Sequence, residues 1–92
     1  MIIGKVVGTV ISTRKNADLV GSKFMIVEPI EKMNTGSSER IVAVDNIGAG
    51  IRDIVLVTTG SSARLACGNP DSPIDACIVG IVDDPQKIVI EE

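Results

Sequence analysis

The stretch Ile74-Asp75-Ala76-Cys77-Ile78-Val79-Gly80-Ile81-Val82-Asp83 decides how the rest of the chain is read. It is short, rich in β-branched residues and flanked by Asp75 and Asp83, which is the signature of a strand rather than a helix. Successive strand side chains point to opposite faces, and here both faces are apolar. Ile54-Val55-Leu56-Val57 repeats the property. A barrel that buried only its inside would need one apolar face per strand. The surplus predicts that the outer face is covered as well, and in a chain of 92 residues the expected cover is another subunit.

Outward from that block, glycine and turn residues divide the chain into short apolar segments. Ile2 to Arg14 alternates, with Gly4 and Gly8 two pleats apart on the same face as Val6, an arrangement suited to a strand that bends sharply or admits another backbone. A polar turn, Lys15-Asn16-Ala17-Asp18, precedes a second strand from Lys23 to Ile30. The charged stretch from Glu31 to Glu39, with Asn34-Thr35-Gly36-Ser37-Ser38 at its centre, reads as an exposed hairpin tip. Third and fourth strands are expected over Arg40 to Asp45 and Asp53 to Thr59, and a sixth, short one over Gln86 to Glu91 after Pro85. Between the fourth and fifth, Ser61 is placed to cap one or two helical turns that Gly68 ends. The expected fold is all-β: one domain over residues 1–92, a small antiparallel barrel of five or six strands with one short helix, similar to an OB-fold, with a sandwich as the alternative.

Composition narrows function mainly by exclusion. Val and Ile supply 12 and 14 residues against a single aromatic, Phe24, and there is no His. Imidazole bases, Ser-His-Asp triads and His-ligated metals are therefore excluded. With 9 Lys and Arg against 12 Asp and Glu, the net charge of −3 opposes phosphate backbones, and one aromatic offers no stacking platform. The N-terminus lacks the basic and apolar regions of a signal peptide, and no apolar run approaches membrane-spanning length, so a cytosolic protein with no membrane partner is expected. In that compartment Cys67 and Cys77 are expected as free thiols.

No motif supplies chemistry or a cofactor site. Asp45-Asn46-Ile47-Gly48-Ala49-Gly50 lacks the third glycine and the following helix of a dinucleotide site, and reads as a tight turn whose glycines allow positive φ or close backbone approach. Asp45 lacks the hydroxyl residue and glycine that follow an aspartic-protease aspartate, and is expected instead to accept hydrogen bonds from the turn. Gly60-Ser61-Ser62-Ala63-Arg64 reads as a capped helix start with Arg64 in a structural ion pair, or as an anion site. The cysteines have no ligand partners at zinc spacing, and Asp71, Asp75, Asp83 and Asp84 are too dispersed for a calcium loop.

Taken in order, Gly4-Lys5-Val6-Val7-Gly8-Thr9-Val10, Leu19-Val20-Gly21-Ser22-Lys23-Phe24-Met25-Ile26-Val27, Ala43-Val44-Asp45-Asn46-Ile47-Gly48-Ala49-Gly50, Val55-Leu56-Val57, Gly60-Ser61-Ser62-Ala63-Arg64 and the fifth-strand block from Pro73 resemble the EutN/CcmL family over residues 1 to 83. The resemblance implies an OB-like barrel that assembles into a homopentamer and caps the vertices of a bacterial microcompartment shell, otherwise built of hexameric shell proteins, in the bacterial cytoplasm. It implies no catalysis and no cofactor. It also implies a narrow central pore, with Gly48, Ala49 and Gly50 as candidates near the axis and Ser61, Ser62 and Arg64 as candidates for subunit contacts. Two departures stand out: Asp53 is followed by Ile54 where many members carry Trp, and the tail after Asp83 is short. The alternative function is an OB-type module binding nucleic acid or oligosaccharide.

Overall fold

The computed structural model describes residues 1–12, 16–30 and 39–91. The expected hairpin tip at 31–38 and the far end of the expected first strand, residues 13–14, lie outside them. Five strands and one helix follow in order: β1 (Ile2–Val10), β2 (Lys23–Pro29), β3 (Ile41–Asp45), β4 (Ile54–Thr59), α1 (Ser61–Ala66) and β5 (Ala76–Val82). The sheet closes in the order β1-β2-β3-β5-β4. Each pair is antiparallel except β3 with β5, which run parallel through just two residue pairs, Val44 with Cys77 and Asp45 with Ile78. Among the described residues the sixth strand is absent: Pro85–Lys87 forms a 3-10 turn, capped by the Asp84 carboxylate accepting the Gln86 N–H at 2.9 Å, and residues 88–91 do not take strand structure.

The barrel interior holds Val6, Met25, Val27, Ala43, Val55, Val57, Ala76 and Ile78, with Ala49 entering from the β3–β4 loop. A second cluster forms on the outside: Val44, Ala63, Ile74 and Cys77, flanked by Leu19, Phe24 and Cys67. The apolar outer face is therefore covered in part by the chain itself, through α1 and the 3-10 turn Ala17–Leu19, a contribution the expectation of cover by another subunit did not include. Two bulges account for more of the two-faced pattern. On β1 the register passes from Val6 opposite Val27 to Gly8 opposite Ile26, and on β5 from Ile78 opposite Val57 to Gly80 opposite Leu56, so Val7 and Val79 are extra residues. The first bulge turns Gly8 to the face opposite Val6, so Gly4 and Gly8 do not share a face as alternation alone predicts.

The helix begins and ends on glycine. Its N-cap is Gly60, at φ 71°, with no side-chain cap, so Ser61 is the first helical residue and not the cap expected for it. A Cβ at that φ would be strained, and the Gly60 N–H is committed to the Asp75 carbonyl at 2.8 Å. At the other end the Gly68 N–H donates to the Leu65 carbonyl and the Asn69 N–H to the Arg64 carbonyl, with Gly68 at φ 77°. This is the paired 5→2 and 6→1 arrangement of a Schellman cap, as the sequence predicts for Gly68.

Candidate functional site

The β3–β4 loop is held from three sides. Asp45 ends β3 with its side chain buried, and its Oδ1 accepts the Ile47 N–H at 3.0 Å and the Gly48 N–H at 3.2 Å. That is the turn-anchoring role expected of it, with Gly48 at φ 86° completing the turn. Asp45 Oδ2 is buried without a hydrogen bond, and Lys23 Nζ, 3.4 Å away, offsets it by charge. The same ammonium donates to the Ala49 carbonyl at 3.2 Å, so one lysine from β2 clamps both the start and the middle of the loop.

The far side is fixed by Asp53, whose Oδ2 accepts the Gly50 N–H at 2.7 Å while its own N–H donates to the Gly50 carbonyl at 3.1 Å. Inside this turn Arg52 takes φ 76°, the one positive φ outside glycine among the described residues. The Arg52 N–H donates to the Val6 carbonyl at 2.8 Å, tying the strained residue to β1. Asn46 Nδ2 donates to the Cys67 carbonyl at 3.4 Å and links the loop to the end of α1.

Of the candidates near the axis, Gly48 is exposed and Gly50 half-buried, whereas the Ala49 side chain fills the barrel core. A place for Ala49 in any external contact therefore rests on its backbone. Ser61 and Ser62 are exposed on the first turn of α1, at the end of the helix away from the Asn46 contact. Ser62 Oγ donates to the Thr59 carbonyl at 3.0 Å and accepts from Thr58 Oγ1 at 3.3 Å, which joins α1 to β4. Arg64 is half-buried, and the structural ion pair expected for it does not form among the described residues. The Ser62 hydroxyl is thus committed to β4. Lys23, Asp53 and Arg52 were not singled out by sequence. Lys23 acts on a loop 26 residues away, a distance at which spacing carries no signal.

Cys67 and Cys77 are free thiols, as expected. Burial pushes the Cys77 thiol above its ordinary range, with Cys67 and Asp45 adding to the effect, so Cys77 is held neutral. Among the described residues there is no group of three or more metal-ligating side chains, and no helix is long and apolar enough to cross a membrane. Phe24 packs against the second cluster instead of standing on an open face.

The arrangement is a closed barrel with a braced loop, a short capped helix and, among the described residues, no catalytic constellation, and comparison with known proteins gives it a context. The chain is 47% identical over 89 residues to the bacterial microcompartment shell vertex protein GrpN of Rhodospirillum rubrum, covering 96% of this chain and 99% of that one. It is 43% identical to the carboxysome shell vertex protein CcmL of Synechocystis, covering 90% and 83%. The solved GrpN pentameric microcompartment shell protein from Rhodospirillum rubrum superposes with a TM-score of 0.78 at 45% identity, covering 91% of this chain and 95% of that one. These relatives are named for a shell and not for a reaction, and they lend no support to the nucleic-acid or oligosaccharide alternative. The model of the family described as "Ethanolamine utilisation protein EutN/carboxysome" matches residues 1–83, and the chain belongs to that EutN/CcmL family.

Proposed function

We propose that this chain is a structural subunit that forms homopentamers and caps the vertices of a bacterial microcompartment shell in the bacterial cytoplasm. The observation that carries the proposal is the fit of the whole barrel to a pentameric shell protein at 45% identity. The physics of the subunit supports it. Val42, Ile47, Ile51 and Leu65 are all exposed on a chain of 9.6 kDa, an apolar surface better suited to a partner than to water. An obligate interface of about 2,000 Å² or more would bury such residues and add the stability that a small domain lacks.

On this reading residues 1–92 act as one vertex domain whose partners are its own copies and, beyond the ring, hexameric shell proteins. Neither nucleic acid nor membrane is a partner, consistent with a net charge of −3 and a packed Phe24. Gly48, Ala49 and Gly50 lie in a loop whose braced backbone suits the crowded surroundings of a five-fold axis. Ser61, Ser62 and Arg64 belong to the contact between subunits, where the unpaired Arg64 guanidinium would meet a carboxylate of the neighbour. Native mass spectrometry tests the proposal: five chains of 9.6 kDa give 5 × 9.6 = 48 kDa, and a monomer or dimer at micromolar concentration would overturn it.

A further inference from the structure

The narrow join between β3 and β5 leaves an opening in the barrel wall. The two strands pair only at Val44 with Cys77 and Asp45 with Ile78, so Ile41, Val42 and Ala43 have a backbone neighbour on the β2 side and, among the described residues, none on the other. A groove of about 350 Å³ opens there, lined by Ile41, Val42, Thr59, Gly60, Asp75 and Ala76. Ile41, Val42 and Ala76 make most of its lining apolar, and Val42 is 50% exposed. Asp75 is exposed, and among the described residues its carboxylate has neither a hydrogen bond nor an ion pair. An apolar hollow with one unpaired carboxylate fits a large aliphatic side chain that stands beside a cation.

Such a pair stands on the same chain, near the C-terminal end of α1. Leu65 is 71% exposed, and the neighbouring Arg64 has no salt bridge among the described residues. Neither residue lines the groove of its own barrel. We propose that, in the pentamer on which this inference rests, Leu65 of one subunit enters the Ile41–Val42–Ala76 groove of the next, and Arg64 pairs with the Asp75 carboxylate at its rim. Burying Leu65 against Val42 takes apolar surface of both subunits out of water. The ion pair sets the direction in which the helix lies across the groove. Knob and groove are different patches of one chain, as a five-fold ring requires, since rings are built from head-to-tail interfaces. The contact accounts together for two exposed apolar side chains and two unpaired charges of opposite sign.

The test compares wild type, Arg64→Glu, Asp75→Arg, the double variant carrying both, Leu65→Asp and Leu65→Met by native mass spectrometry over a dilution series, with circular dichroism reporting the fold of each subunit. Residues 64, 65 and 75 lie outside both core clusters, so the subunits should stay folded. Each charge reversal and Leu65→Asp should raise the concentration at which the ring dissociates about tenfold or more. Leu65→Met and the double variant should stay within about threefold of wild type, because the first keeps the aliphatic knob and the second restores opposite charges. An equimolar mixture of the two single reversals should remain weaker than the double variant, since those chains complement each other only in alternation and five places cannot alternate. A double variant as weak as the single ones would overturn the inference while leaving the vertex reading intact, as would wild-type stability in Leu65→Asp. If a charge reversal unfolds the subunit, the Leu65 variants decide alone. A wild type that forms no ring would overturn both readings.

Discussion

Among the described glycines, Gly4 is the one whose replacement meets the closest contacts. A Cβ there would collide with Val27 Cγ1 and come within 2.9 Å of the Glu28 carbonyl oxygen, and a backbone atom in a paired strand cannot yield. At Gly8 the nearest atom is the flexible end of Ile26, Cδ1, at 3.3 Å. Gly4→Ala should therefore cost on the order of 1–3 kcal/mol in a urea melt and Gly8→Ala well under about 1 kcal/mol. Equal costs would mean that β1 does not approach β2 as described. The two glycines look alike in sequence, and only the bulge at Val7 separates them. The cysteines invite a second measurement. Folding raises the Cys77 thiol pKa, so the native state keeps its proton longer than the unfolded chain. The resulting stability is fully present below the ordinary thiol value of 9.0 and declines as pH rises above it. A disulfide reagent at pH 8 should consume Cys67 first and reach Cys77 only as the protein unfolds; simultaneous labelling would contradict the burial.

At the level of elements, the strands were legible because each is a β-branched block closed by glycine, proline or a polar turn, and this survives any uncertainty about register. Asp75 and Asp83 do bracket β5, and Gly68 does end α1. What could not be read depends on partners distant in sequence. The bulges at Val7 and Val79 are differences between two strands, invisible in either alone. Residues 88–90 have the composition of a strand and do not form one, because a β-branched run needs a neighbouring strand in the right register and composition alone does not supply it. Asp45 was legible as a loop anchor because its bonds reach just two and three residues ahead; the Asp53 bond to Gly50 is equally local, whereas Lys23 completes the brace from 26 residues away. Arg64 on α1, with no salt bridge among the described residues, is proposed to find its partner in another chain. Arg64→Glu should reduce the pentamer fraction in native mass spectra by about tenfold, the effect of putting like charges together in place of an ion pair, with the circular-dichroism spectrum unchanged. An unaffected ring would remove α1 from the interface.

For the molecule as a whole, β3 and β5 join through two residue pairs, whereas β1 and β2 share six. Closing the barrel also requires Ile2 to find Val57, far along the chain. The hairpin from β1 to β2 and the pairing of β2 with β3 involve shorter loops and should form earlier, leaving the narrow β3–β5 join for last. In stopped-flow refolding, association into rings should then lag behind strand formation and become independent of protein concentration once subunits are plentiful. A rate that keeps rising with concentration would contradict this order. The two-pair join thus works as a clock: until it shuts, a new subunit is an open sheet with adhesive edges, and cells that build shells from such parts depend on barrels closing before neighbours collide.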